Sequence, residues 1–109
     1  MAIFSPSRWD TTYTSQDGPV HAIVTFDQDT GGYNIIDNNG DVVDFGTMSN
    51  VKYFTPSDTE WLITGHWFFH GVSGSFQFNG SGGPDQFTGG WLYDLPQHGG
   101  GAWTGVRMV

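Results

Sequence analysis

The sequence predicts an all-β chain: a single small antiparallel meander β-barrel of about seven to nine strands, with no substantial helix. Three observations predict it. Aromatic residues make up 17% of the chain and Gly occurs 17 times in 109 residues, a mixture of sheet-forming side chains and turn punctuation. Several short runs alternate apolar and polar residues with the period of a strand. No long window keeps a helical period without meeting Gly, Pro or a β-branched cluster. A length of 109 residues suits one core, so residues 1–109 are read as one domain.

Along the chain, "PVHAIVTF" (19–26) sets Val20, Ala22, Val24 and Phe26 on one face against His21, Ile23 and Thr25. In "GYNIIDNNGDVVDF" (32–45) two apolar runs flank Asn38-Asn39-Gly40, residues that tolerate positive φ, which predicts a β-hairpin. "SNVKYF" (49–54) reads as a separate short strand. "TEWLITGHWFFHG" (59–71) predicts the longest strand, with Trp61, Ile63, Gly65, Trp67 and Phe69 facing the core and a mixed face of Glu60, Leu62, Thr64, His66, Phe68 and His70. "GSFQFN" (74–79) opposes Phe76 and Phe78 to Ser75, Gln77 and Asn79. "DQFTGGWLYD" (85–94) puts Phe87, Gly89, Trp91 and Tyr93 together, and "GAWTGVRMV" (101–109) does the same for Trp103, Gly105 and Arg107. With no helix to make a parallel crossover, the connections imply an antiparallel meander. Closure into a barrel rather than a sandwich removes the exposed edges of so aromatic a sheet.

One motif occurs three times, as "ITGHW" (63–67), "FTGGW" (87–91) and "WTGVR" (103–107). A Gly inside a strand marks a bend or the close approach of a neighbour. These Thr-Gly-x-aromatic openings, with Trp9 near one end of the sequence and Arg107 near the other, resemble calycin-like and avidin-like barrels. That resemblance implies that Trp9 and Arg107 stack to close one barrel end. The chain departs from the usual Gly-x-Trp by carrying Ser7-Arg8-Trp9. No avidin ligand set transfers residue by residue, so no biotin site is assigned. Allene-oxide-cyclase-like barrels are similar in architecture only.

Lys and Arg number 3 against 11 Asp and Glu, a net charge of −8. Such a surface repels phosphate backbones and anionic lipids, so neither nucleic acid nor a membrane is an expected partner. No apolar run approaches the length of a membrane-spanning helix. The absence of Cys and of an apolar leader in "MAIFSPSRWDTTYTS" points to a cytoplasmic location.

Four groups of residues are weighed for chemistry. His66 and His70 in "HWFFH" lie about 13 Å apart along a strand, too far for one tetrahedral metal without help from His21 or His98. Asp27, Asp29, Asp37, Asn38, Asn39 and Asp41 offer oxygen ligands, but the distal Glu of a calcium loop is missing and turn chemistry accounts for them. No metal and no cofactor are therefore expected. Trp61, Trp67, Phe69, Phe76, Phe78, Trp91, Tyr93 and Trp103 exceed what a small barrel core holds easily, and are the expected ligand-binding set. The surplus of rings also predicts a homo-oligomer. Finally, "YDLPQHGGG" (93–101) is an expected mouth loop. Tyr93 and His98 there, with Arg107, are the candidate catalytic groups.

The leading functional expectation is a barrel that binds a small, largely apolar ligand in an aromatic-lined cavity. The alternatives are an isomerase or cyclase of the same architecture, a sugar-binding module stacking sugars on exposed Trp91 and Trp103, and a small acidic inhibitor of a protein partner.

Overall fold

Strict alternation of large and small residues builds this molecule. The computed structural model describes residues 7–80, 85–94 and 99–108. They form eight strands: β1 (Ser7–Ser15), β2 (Gly18–Asp27), β3 (Thr30–Ile36), β4 (Val42–Ser57), β5 (Glu60–Phe69), β6 (Val72–Gly80), β7 (Gln86–Tyr93) and β8 (Gly100–Arg107). Each pairs antiparallel with the next, and β8 returns to β1, closing the barrel. No helix occurs among the described residues.

The expected faces are observed. In β5, Trp61, Ile63, Gly65 and Trp67 are buried, while Glu60, His66 and Phe68 are exposed. Phe76 and Phe78 of β6 and Phe87 and Trp91 of β7 point inward in the same way. The hairpin at Asn38-Asn39-Gly40 forms between β3 and β4, with Gly40 at φ 85°. Asp37 ties it together: its Oδ1 accepts the backbone N–H groups of Asn39 and Asp41, both at 2.9 Å. Turn chemistry thus engages Asp37, as its position between two apolar runs requires.

Two elements differ from expectation. Residues 49–54 are not a separate strand but the second half of β4, which runs through 42–57 in one piece. Its pairing with β5 shifts between Ser49 and Lys52, where Asn50 takes φ 52°. The Val51 N–H leaves that ladder and donates to the Asp29 carbonyl at 2.9 Å. A bulge of this kind bends a long strand without ending it. The other difference is β1. "SRWDTTYTS" lacks an apolar run, yet it pairs along its whole length with β2 and along 9–13 with β8. Its inward side is Ser7, Trp9 and Thr11, all at least 98% buried.

The interior holds more rings than the sequence suggested a small barrel could hold. All five Trp are buried. The reason lies in the cross-strand register. Large inward residues are paired with inward Gly on the neighbouring strand: Phe26 with Gly31, Tyr33 with Gly46, Trp61 with Gly80, Trp67 with Gly74, Trp91 with Gly101. The three Thr-Gly motifs belong to this set, with Gly65 opposite Phe76, Gly89 opposite Phe78 and Gly105 opposite Phe87. A methyl group added at Gly65 would sit 2.8 Å from the Phe76 ring. The glycines mark close approach, of a ring at Gly65 and Gly105 and of the neighbouring backbone at Gly89. Small-opposite-large pairing lets eight strands enclose a core built mainly of aromatics. Phe45, Phe54 and Phe68 remain exposed on the outer surface.

One end of the barrel is plugged. Trp9 has Val24 and Arg107, not Gly, as cross-strand neighbours. Its ring crosses the lumen to meet Trp61 of β5 at 5.3 Å and Phe87 of β7 at 5.4 Å. The Arg107 guanidinium carbon lies 5.7 Å from the Trp9 ring centroid. The stacking implied by the calycin resemblance is therefore present as a contact.

Candidate functional site

The opposite end carries the Ser15–Gly18 turn, the β3–β4 hairpin and the β5–β6 turn. It opens into a cavity of about 310 Å³. Successive strands supply its wall by parity: Tyr13 from β1, Tyr33 from β3, Trp67 and Phe69 from β5, Trp91 and Tyr93 from β7, and Trp103 from β8. Ser15, His70 and Val72 complete the rim.

The space exists because the rings lie against the wall rather than across it. Trp67 rests on the backbone at Gly74, and Tyr33 reaches over Gly46, its hydroxyl beside that residue. The rings also brace one another around the lumen. Trp91 meets Tyr93 edge-on at 4.9 Å, Trp67 meets Trp91 at 5.8 Å, and Tyr13 tilts against Trp103 at 5.0 Å. Tyr33 closes the circle at 5.5 Å from Trp103.

The polar groups divide into used and unused. Each indole N–H in the cavity wall already has a protein acceptor. Trp67 donates to the Ser75 carbonyl at 3.1 Å and Trp91 to the Thr14 carbonyl at 3.0 Å. Trp103 donates to Thr11 Oγ1 at 2.9 Å, and that hydroxyl in turn donates to the Ala22 carbonyl at 2.7 Å. Among the described residues, the hydroxyls of Tyr13, Tyr33 and Tyr93 make no hydrogen bond. No buried side-chain polar atom lacks a partner, so these hydroxyls are not sealed in the core and remain accessible. They are the cavity's available hydrogen-bonding groups.

At the rim, His70 sits at φ 50° after β5. Its Nε2 is 2.8 and 2.9 Å from the two carboxylate oxygens of Asp44. That hydrogen bond, with one from the Phe45 N–H, holds the Asp44 carboxyl below its ordinary range. Asp44 lies on β4 two residues before Gly46, about one-third exposed, and reaches the rim through His70.

Burial raises the Tyr33 phenol well above its ordinary 10.0, with Tyr13 and Asp44 adding to the effect. Burial raises Tyr13 as well, followed by Asp44 and Tyr93. A phenol whose folded-state value is raised stays protonated after the unfolded chain has ionised. Its contribution to stability is full below about pH 10 and is lost as pH rises through the raised value. Alkaline unfolding, followed by urea titrations between about pH 8 and about pH 12, should therefore steepen above the ordinary phenol range. Tyr33→Phe should carry the folded state to higher pH. Wild-type and variant curves that fall together would rule this out.

The residues singled out from sequence fall in three places. Trp67, Phe69, Trp91, Tyr93 and Trp103 line the cavity. Trp61, Phe76 and Phe78 are inward but do not line it. Phe78 stacks on Phe87 at 4.0 Å in the core, and Trp61 packs by the Trp9 plug. Of the candidate catalytic groups, only Tyr93 lines the cavity, Arg107 is at the plugged end, and His98 lies outside the described residues. Trp91 and Trp103 are 8% and 2% exposed, so they offer no outer platform for sugar stacking. Tyr13 and Tyr33 were not foreseen, and His70 was weighed only as a metal ligand with His66, not as part of a cavity rim. The spacing Trp9, Thr11, Tyr13 held the signal for the first of them, masked by the Thr-rich composition of β1. Among the described residues, no three His, Asp or Glu side chains gather as a metal site. No helix among the described residues is long and apolar enough to cross a membrane.

Compared with known proteins, the chain matches no family model, no curated protein and no solved structure.

Proposed function

We propose that the barrel binds a small, largely apolar, ring-bearing molecule in its open end. One observation carries this reading: a cavity walled by aromatic rings in which every indole N–H is engaged while three phenol hydroxyls are not. A core built only for stability has no use for three cavity-lining Tyr whose hydroxyls no protein group engages. Their desolvation is offset when a ligand supplies acceptors or donors. The volume of about 310 Å³ lies at the small end for ligand pockets, which suits one or two fused rings rather than a lipid chain. Apolar walls with a few placed polar groups are the usual design of such sites.

Titration with naphthalene- and indole-sized ligands, followed by Trp fluorescence, should show saturable quenching at one site per chain. Val72→Trp places a bulky ring at the rim and should abolish that quenching with the fold intact by circular dichroism. Unchanged quenching in Val72→Trp would place binding elsewhere. Absence of saturable quenching in the native chain would remove the reading.

A further inference from the structure

We infer that the open-end cavity is an aromatic cage for an organic cation, a ligand with an alkylated ammonium group beside its apolar part. The inference rests on the cavity being a ligand site, and it specifies the charge of what enters.

Geometry and charge carry it together. The wall presents rings from five strands, and two of its Trp, Trp67 and Trp91, stand within 5.8 Å of each other at 86°. Both rings are among those that line the cavity, with Tyr13, Tyr33, Tyr93 and Trp103. The face of an aromatic ring is its negative side, and Trp and Tyr are the strongest such faces among side chains. An alkylated ammonium has no N–H to satisfy, or only one. It suits a site whose indole N–H groups are all used and whose free polar groups are phenol oxygens, which accept as well as donate.

The charged residues point the same way. The three Lys and Arg side chains of the chain are Arg8, Lys52 and Arg107, and none of them lines the cavity. The formal charges at this end are carboxylates: Asp44, hydrogen-bonded to the rim residue His70, with Asp17 in the Ser15–Gly18 turn and Asp94 next to Tyr93. The titratable groups facing Asp44 are His70, hydrogen-bonded to it, and the cavity phenols of Tyr13, Tyr33 and Tyr93. Asp44 is among the lesser causes, after burial, that raise the Tyr13 and Tyr33 phenols. An anionic ligand would enter against those carboxylates and against a net charge of −8, with no cation to meet it.

The test is a matched pair of ligands of one shape: benzyltrimethylammonium and its neutral carbon isostere, neopentylbenzene. Each is titrated at about pH 8, where His is ordinarily neutral, with Trp fluorescence as the readout. The cation should bind about 10-fold more tightly or better, the scale of a desolvated cation–π site. Asp44→Asn should weaken the cation several-fold and leave the isostere unchanged. If that variant does not fold, added salt serves instead: it should weaken binding of the cation only. Equal or tighter binding of the neutral isostere overturns the cage and leaves the apolar cavity reading standing. If neither probe, nor any ring compound of the first series, perturbs the fluorescence, both readings fall.

Discussion

Gly89→Ala is expected to cost at least about 3 kcal/mol, at the top of the usual overpacking range. By the usual scaling, that lowers the melting temperature by about 12 °C or more. Gly89 is paired with Phe78 on one side and Trp103 on the other. A methyl group there would fall on the Gln77 carbonyl oxygen, with the Gln77 carbonyl carbon at 2.9 Å and Phe78 Cα at 3.0 Å. All three are backbone atoms, so no side-chain rotation makes room. The strand pair must separate, and Phe78 with it. Gly32→Ala is the control. Gly32 has the outward parity of β3, and its nearest atom is the Gly46 oxygen at 3.3 Å, so the change should stay within about 1 kcal/mol. Thermal melts by circular dichroism decide the matter. If Gly89→Ala melts within a few degrees of the native chain, the volume account of the core fails.

Trp9→Ala is expected to cost about 3–5 kcal/mol, the range for removing a large buried aromatic. Trp9 is fully buried and is the ring that plugs the lumen against Trp61 and Phe87. Truncation opens a cavity there that rigid strands cannot collapse. It also removes the indole that donates to Ser7 Oγ at 3.0 Å and the face that meets Arg107. A domain of this size has a total stability of about 5–15 kcal/mol, so the loss is a large part of the whole. Trp9→Phe keeps much of the plug and should recover more than half of it. Urea unfolding checks both, and a cost below about 1 kcal/mol for Trp9→Ala would show that the plug is not structural.

Particular elements show how far the sequence could be read. The alternation in 60–69 is so regular that face and burial follow directly, and the hairpin after β3 follows from Asn38-Asn39-Gly40. The meander follows from the absence of any crossover, and closure from the need to remove the edges of so aromatic a sheet. β1 was hidden because its buried positions include Ser7 and Thr11, whose hydroxyls are satisfied inside the core by Trp9 and Trp103. Nothing in composition alone distinguishes such a Thr from a surface one. β4 was split between Phe45 and Ser49, where Gly46-Thr47 interrupts the apolar run, whereas the structure keeps one strand and places its irregularity later, in a bulge at Asn50. For the site, parity said which rings point inward but not how deep each lies. Depth along the axis is set by register, so Trp61, Phe76 and Phe78 were indistinguishable from Trp67 and Trp91. The phenols of Tyr13 and Tyr33 emerge only when β1 and β3, on either side of β2, bring their inward rings to 6.3 Å over it.

The return of β8 to β1 has a kinetic meaning. Seven of the eight strand pairings join neighbours in the sequence and form over short loops. The remaining one brings Trp9 beside Arg107, a closure over nearly the whole chain whose entropic cost is on the order of 4 kcal/mol. Slow, non-local steps of this kind set the folding rates of all-β domains. Side-chain hydrogen bonds gather at this seam: Trp103 of β8 donates to Thr11 of β1, and Trp91 of β7 reaches over to the Thr14 carbonyl. Two of the three indoles that line the cavity are thus also latches of the step that shuts the ring, so the barrel completes its cavity and its fold in the same event.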